Sequence, residues 1–250
     1  MSGLRDLRTE GVPPIIIALI IVLGALLVFE LAVPRMIASR LENAVRSSVD
    51  SIDYVRVRLR SFPAINLISS GRVNSVSMNC KGLFIEGLRI ESLMVDASDI
   101  LIDMQALREE SRFSLSHIGQ GQAELVIGQD DLTRYVHGLK GVPESVLIEL
   151  SPGRVGVKGD VSVAGIDIPV NLDGEFVAER NGTRLSYQIN NIQVGGARLP
   201  SIIRDGLMRG LDFSLDMSSL PIPVIISDIS MEDKIVRIIG RTQGDTGDSI

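Results

Sequence analysis

The sequence predicts an α+β protein in which an N-terminal transmembrane helix precedes a domain of mostly antiparallel β-strands. Three observations lead to this prediction. An apolar run without any charge covers residues 11–29. Beyond residue 50, apolar residues recur mainly with a period of two, which is typical of half-buried strands. The strand-like runs follow one another instead of alternating with helices, which argues against a doubly wound parallel sheet.

The uncharged run is long enough to cross a membrane. Its nineteen residues would form a helix of about 28 Å, close to the ~30 Å hydrocarbon core of a bilayer. Glu30 follows at the far end, where a carboxylate lies near the headgroups. We therefore predict a short tail over residues 1–11 and a transmembrane anchor over residues 12–33. A cleaved signal peptide is the alternative, but the apolar run exceeds a usual signal core and residues 31–34 form a poor cleavage site.

Charges that flank the anchor do not fix its orientation. Two arginines precede the anchor and three follow it within a short distance: Arg5 and Arg8, then Arg35, Arg40 and Arg46. The positive-inside rule would place the larger count in the cytoplasm. A difference of a single arginine is a weak signal, since long domains translocate largely regardless of charge.

The next elements are a second helical pattern and a cationic strand. An amphipathic pattern begins at Pro34, with an apolar stripe at every fourth residue from Ile37 to Val49. Residues 54–60 then alternate between apolar residues and arginine, so the strand should have one buried and one cationic face. That cationic face would contact either anionic lipid headgroups or carboxylates on a neighbouring strand.

Further strands fill most of the remaining chain, which we predict as one α+β domain over residues 34–240. A helix interrupts them at residues 129–139, and a second helical pattern begins at Pro200. Tight hairpins are predicted at Ser151-Pro152-Gly153 and at Asn181-Gly182. Residues 241–250 are expected to be disordered. The predicted strands cover residues 72–78, 83–85, 88–96, 100–104, 112–118, 122–127, 146–150, 154–158, 160–163, 166–173, 175–180, 184–189, 224–229 and 234–239.

Composition and motifs exclude several functions. A net charge of −6 argues against a nucleic-acid partner, which would require a basic face. One cysteine and two histidines leave little material for a disulfide framework or a metal centre. No nucleophile motif occurs, and Asp130 and Asp131 are interpreted as solvated or capping charges. Cys80 is interpreted as a plain thiol, with a weak alternative of an enzyme built on it. We predict a protein that is not an enzyme and needs no cofactor.

The core composition is compatible with a lipid ligand. The chain is 45% hydrophobic but only 4% aromatic, with no tryptophan and eight methionines. Aliphatic side chains suit packing or acyl-chain contact better than the stacking of sugars or bases, and methionine fills irregular spaces. Composition alone leaves lipid binding as one option among several.

A set of glycine and aliphatic spacings carries a family resemblance. The matching stretches are Ser61-Phe62-Pro63, Leu67, Gly71-Arg72, Lys81-Gly82-Leu83, residues 87–96, residues 100–103, residues 123–127 and Asp131-Leu132. On these residues the chain resembles the LmeA-like phospholipid-binding family of bacterial cell envelopes. The resemblance implies a membrane-tethered domain outside the cytoplasm, with a curved sheet wrapped around helices as in tubular lipid-binding (TULIP-like) domains.

The same resemblance implies a membrane phospholipid as the ligand, bound or transferred in an elongated apolar cavity. It supplies no catalytic residues and no named protein partner. The residues expected to contact acyl chains are Phe62, Leu67, Phe84, Leu88, Met94, Leu132, Tyr135, Val136, Ile203, Leu207 and Met208. A structural or adaptor protein of the envelope, which binds another protein by strand addition, is the alternative.

Overall fold

The computed structural model of the chain describes residues 14–105, 109, 115–139, 142–163, 166–194 and 214–242. The first described element is one long helix, α1 (Pro14–Ser47), which contains Pro34. Its first half exposes apolar side chains from Ile15 to Leu31. Its second half buries an apolar stripe against the rest of the protein, including Ile37, Leu41 and Val45.

The chain then builds a six-stranded antiparallel sheet. Its strand order is β1-β2-β3-β4-β11-β10. The strands and the short helix α2 have these bounds: β1 (Ser51–Arg60), α2 (Ile65–Ser70), β2 (Arg72–Ile85), β3 (Leu88–Ile102), β4 (Leu115–Gly128), β10 (Val224–Glu232) and β11 (Ile235–Thr242). Strands that are adjacent in this sheet are consecutive in the chain, except where β11 pairs with β4. Short turns connect β2 to β3 and β10 to β11, whereas residues 61–71, which contain α2, connect β1 to β2.

A second, five-stranded antiparallel sheet follows the helix α3 (Gln129–Gly138). Its order is β5-β6-β7-β8-β9. The strands are β5 (Leu147–Ser151), β6 (Arg154–Val163), β7 (Ile166–Glu179), β8 (Arg184–Val194) and β9 (Ser214–Asp216). The two predicted hairpins are confirmed, because Pro152 and Gly153 connect β5 to β6, and Asn181 and Gly182 lie in the turn between β7 and β8.

One hydrophobic core joins these layers. It contains the second half of α1, the apolar face of the six-stranded sheet, α3 and the inner residues of the five-stranded sheet. The second half of α1 also covers the edge strand β1, since Glu42 Oε1 accepts a hydrogen bond from the Val57 amide at 2.8 Å. A helix along a sheet edge satisfies strand groups that would otherwise template aggregation. The predicted α+β class with curved antiparallel sheets is confirmed.

The structure joins elements that the sequence pattern separates. The predicted runs 72–78 and 83–85 are parts of β2, runs 88–96 and 100–104 largely form β3, and β4 contains run 122–127 and the second half of run 112–118. Gly82 allows β2 to run without a break through both predicted runs, 72–78 and 83–85. It has a φ of +58° at a point where the β2–β3 register skips a pair, and a β-carbon there would collide with the Asp53 carboxylate.

Helix α1 likewise continues through Pro34, where the sequence predicts a boundary between two helices. An interior proline removes one helix hydrogen bond and crowds the carbonyl four residues before it. Burial of Ile37, Leu41 and Val45 holds the following turns in place despite this cost. At the other end, β11 extends to Thr242, two residues into the predicted disordered tail. Residues 1–13 and 243–250 and the helical pattern after Pro200 lie outside the described residues.

Candidate functional site

The loop between β1 and β2 is fastened to α1 at the end of its apolar segment. We name residues 61–71 the α2 loop. The Ala64 amide donates to Glu30 Oε2 at 2.7 Å, and the Phe62 amide donates to Asn74 Oδ1 at 3.1 Å. Leu67 anchors the loop to the hydrophobic core, because its side chain is fully buried. This part of the molecule, where β1 ends and β2 begins, is called the Glu30 end of the six-stranded sheet.

An open cleft of about 630 Å³ lies between α1, the end of β1 and the α2 loop. We name it the Glu30 cleft. Its size falls within the range of small-molecule sites, roughly 300–1,000 Å³. Residues of α1, β1, the α2 loop and β2 line it: Glu30, Leu31, Pro34, Arg35, Leu59, Arg60, Ser61, Phe62 and Asn74.

The chemistry of the Glu30 cleft is amphipathic. Leu31, Leu59 and Phe62 provide apolar walls, whereas Arg35 and Arg60 provide guanidinium groups. Guanidinium groups bind phosphate through paired N–H donors, and aliphatic walls bind hydrocarbon chains. A ligand with a phosphate at one end and an acyl chain at the other matches this combination.

The arginines of β1 form a row that leads to the cleft. Arg56, Arg58 and Arg60 are exposed on the outer face of the sheet, and their partners on β2 are neutral: Asn79, Ser77 and Ser75. The sequence left two kinds of partner open for this cationic face: anionic lipid headgroups, or carboxylates on a neighbouring strand. At these three register positions β2 provides no carboxylate. Arg56 lies over the ring of Tyr54, with 5.5 Å from the guanidinium carbon to the ring centroid.

At the opposite end of the sheet, arginines form ion pairs with carboxylates of the protein itself. Asp131, on α3, is only 6% exposed and forms ion pairs with Arg134 and, at 3.5 Å, with Arg89. Arg89 also binds Asp53 at 2.9 Å. Of the two interpretations of Asp131, the solvated charge is wrong, because tertiary contacts bury it. It lies in the first turn of α3 together with Asp130, which is exposed. We name Asp53, Arg89, Asp131 and Arg134 the α3 charge cluster.

Between α3 and the five-stranded sheet there is a small apolar void. It has a volume of about 20 Å³ and is lined by Leu132, Val136, Leu139, Ile148, Val155, Val157, Phe176 and Tyr187. Tyr187 contacts Phe176 edge to face, with 5.9 Å between ring centroids, and burial raises the pKa of its hydroxyl. The void is much smaller than a pocket for an acyl chain, which needs a few hundred Å³.

A wide groove of about 1000 Å³ runs over the outer face of the six-stranded sheet. Polar side chains from β2, β3, β4 and β11 dominate it, including Ser75, Ser77, Asp96, Ser98, Gln120, Gln122 and Arg241. A groove of this composition binds polar groups better than hydrocarbon.

The predicted acyl-contact residues do not form one continuous site. Phe62 lines the Glu30 cleft and is 80% exposed, whereas Leu67 is buried in the core and does not line the cleft. Leu88, Leu132 and Val136 are buried in the core, and Tyr135 packs against it. Phe84 and Met94 are not part of the buried core, and Met94 is 40% exposed on the outer face. The predicted residues Ile203, Leu207 and Met208 lie outside the described residues.

Cys80 lies on the buried face of β2. Its side chain is fully buried, and burial raises the pKa of the thiol to about 12, although the charge of Arg46 opposes this shift. A thiol with such a pKa is protonated at neutral pH, and the thiolate is the nucleophilic form. This environment argues against an enzyme built on Cys80. Among the residues that the structure describes, no group of three or more His, Cys, Asp or Glu could hold a metal ion.

Comparison with known protein families decides the assignment. A family model described as LmeA-like phospholipid-binding matches residues 28–241. The chain belongs to this family. The matched LmeA-like region contains the Glu30 cleft, the α2 loop and both sheets, and it begins within the apolar segment of α1. No curated protein and no solved structure matches the chain.

Sequence reasoning missed most of the residues that line the Glu30 cleft in this LmeA-like protein. Leu31, Pro34, Arg35, Leu59 and Arg60 are not among the predicted contacts. The available signals were the carboxylate that directly follows the apolar run and the arginine alternation in residues 54–60. They did not locate the cleft, because Glu30 and Ala64 are 34 residues apart in the chain.

Proposed function

We propose that this protein is anchored in the cytoplasmic membrane by α1 and binds or transfers phospholipids of the bacterial envelope on the extracytoplasmic side. The single observation that carries the proposal is the amphipathic Glu30 cleft at the end of an apolar helix. By length and composition α1 can cross a membrane.

With α1 across the membrane, the Glu30 cleft would lie where a phospholipid leaves or enters the bilayer. Glu30 marks the end of the apolar segment, so Leu31 and Arg35 lie just beyond the hydrocarbon core. A lipid headgroup that moves along α1 would meet Arg35 and Arg60, while its chains contact Leu59 and Phe62. Belonging to the LmeA-like phospholipid-binding family supports the same ligand class.

The predicted contacts at Leu132, Tyr135 and Val136 remain part of the proposal as the deeper end of an acyl-chain path. An acyl chain would have to separate α3 from the five-stranded sheet, because the void between them is about 20 Å³. Leu132 and Val136 both line that void.

The experiment uses the full-length protein. It is purified from cells, its bound lipids are extracted and identified by mass spectrometry, and its transfer of phospholipid between vesicle populations is measured. A photoactivatable phospholipid then locates the contacts, which we expect within the peptide that contains Leu59 and Phe62. Absence of co-purified lipid together with absence of transfer would overturn the proposal.

Orientation needs a separate experiment. A reporter that is active only outside the cytoplasm is fused after Ile250, and a matched fusion carries a reporter that is active only inside. We expect activity outside. A release of the domain from membranes by carbonate washing would show that α1 acts as a cleaved signal sequence instead of an anchor.

An envelope adaptor that binds a protein partner is the second candidate. The observation that favours it is the small void between α3 and the five-stranded sheet, because a domain that stores whole acyl chains needs a larger cavity. In that case the purified protein carries no lipid, and chemical cross-linking in cells joins it to a defined partner.

A further inference from the structure

The α2 loop presents apolar side chains to the outside of the protein. Phe62 is 80% exposed and Ile65 is 51% exposed, whereas Leu67 in the same loop is fully buried. Loops are usually polar at the surface, and aromatic residues are scarce in this chain at 4%. An exposed apolar pair at a tightly fastened loop indicates a binding surface.

The position of the loop along α1 is fixed by a direct contact. Glu30 follows the uncharged run of α1, and its carboxylate accepts the hydrogen bond from the Ala64 amide at 2.7 Å. Ala64 lies between Phe62 and Ile65 in the chain. The exposed apolar pair is therefore held at the level where the apolar segment of α1 ends.

The charges around the loop suit lipid headgroups. Arg35 is about 7.5 Å further along the axis of α1 than Glu30, at 1.5 Å per residue, and Arg60 ends β1 next to the loop. Both arginines are exposed. Within the described ranges neither forms an ion pair with a carboxylate. Arginine near a bilayer surface is attracted to anionic headgroups by about 1 kcal/mol per residue.

We propose that the α2 loop lies in the headgroup boundary of the same bilayer that α1 crosses. Phe62 and Ile65 insert toward the hydrocarbon, and Arg35 and Arg60 contact phosphate groups. The contact adds a second attachment point, which fixes the tilt of the six-stranded sheet and holds the Glu30 cleft against the membrane. This inference rests on the proposed anchoring by α1, and it does not require phospholipid transfer.

The absence of tryptophan from the chain permits a direct test. Full-length Ile65→Trp, Phe62→Trp and Leu147→Trp are each reconstituted into phosphatidylcholine–phosphatidylglycerol vesicles, with and without brominated acyl chains. Leu147 on β5 is the matched control, because it is 55% exposed, close to the 51% of Ile65. Its strand lies against α3, far from the α2 loop, since the Ile148 amide donates to Thr133 Oγ1 at 3.3 Å. Ile65 is the decisive position, because it is not among the residues that line the Glu30 cleft.

We expect bromination to reduce the emission of Ile65→Trp and Phe62→Trp about twofold or more, because an indole at the headgroup level reaches the acyl chains. Leu147→Trp should keep its emission. A second arm places the variants in detergent with one brominated phospholipid per chain. A lipid bound in the cleft would quench only Phe62→Trp there, so the outcome of this arm bears on the proposed function separately.

Unchanged emission of Ile65→Trp in brominated vesicles would overturn the inference, and this is the result expected if a protein partner covers the loop. Equal quenching of Ile65→Trp and Leu147→Trp would also overturn it. If Ile65→Trp fails to fold, as judged by circular dichroism, the adjacent exposed Asn66 is replaced by tryptophan and the same criteria apply.

Discussion

The two faces of the six-stranded sheet have opposite chemistry although they alternate residue by residue. The buried face carries aliphatic side chains and Cys80, and it holds the domain together. The outer face carries arginine, serine and glutamine around an open groove. On the outer face near the Glu30 end, Arg58 and Arg60 pair across the strands with serines, whereas Arg89 and Arg134 in the α3 charge cluster bind carboxylates. The arginines of the α3 charge cluster therefore stabilise the fold, whereas Arg58 and Arg60, which lie opposite serines, can bind a ligand.

The largest expected effect concerns the alkylation rate of Cys80, on the buried face of the six-stranded sheet. Cys80 is the single cysteine of the chain, and its pKa is raised to about 12 by burial, against about 8.5 in an unfolded chain. At pH 8 we expect alkylation by iodoacetamide to be about 1000-fold slower in the folded protein than in urea, because the thiolate is the reactive species. Mass spectrometry measures both rates.

The same shift gives a pH dependence with a defined sign. The folded protein keeps the thiol proton up to a pKa of about 12, whereas the unfolded chain loses it above about 8.5. The free energy of unfolding should therefore fall as the pH rises through this interval, and Cys80→Ala should lack this part of the slope. Rapid alkylation of the folded protein would contradict the buried position of Cys80.

Neighbouring residues on β3 compare the two faces directly. Leu93 is fully buried and Met94 is 40% exposed on the opposite face. We expect Leu93→Ala to lower the free energy of unfolding by about 3 kcal/mol and Met94→Ala by less than about 0.5 kcal/mol. Urea titration in detergent measures both. A similar loss for the two variants would mean that Met94 is covered in solution, as the predicted acyl contact requires.

The α3 charge cluster offers a second pair of neighbours. Asp131→Asn removes the negative charge that Arg89 and Arg134 share, and we expect a loss of about 1–2 kcal/mol in unfolding free energy. The exposed neighbour Asp130 provides the control, since Asp130→Asn should change stability by less than about 0.5 kcal/mol. Equal effects would show that the first-turn position of α3 matters more than the ion pairs.

The smallest effect on stability is expected at the open arginine row. Arg58→Gln should change the unfolding free energy by less than about 0.5 kcal/mol but reduce the enrichment of anionic phospholipid in the purified protein about three- to fivefold. Lipid mass spectrometry measures the enrichment. Lys158 lies on β6 and forms an ion pair with Glu149. Lys158→Gln removes an equal charge from the other sheet and should leave the enrichment unchanged.

The predictions from sequence succeed where the signal is local. Alternation in residues 54–60 correctly gave the two faces of β1, and Asn181-Gly182 gave a turn, because side-chain period and backbone preference depend on adjacent residues. They fail where distant residues meet. The ion pair of the buried Asp131 on α3 depends on Arg89 from strand β3, and the continuity of β2 through Gly82 depends on the pairing of β2 with β3.

By itself, the sequence determined the apolar helix, the strand-rich domain, the positions of most strands and the family resemblance, since each follows from hydrophobic period or residue spacing along the chain. Only the tertiary structure decided that Glu30 holds the α2 loop, that Arg35 and Arg60 share a cleft with Phe62, and that the predicted acyl contacts divide between two ends and two faces. Those relations depend on strand register and helix packing. A contact between residues 34 positions apart produces no periodic pattern in the sequence from which it could be predicted.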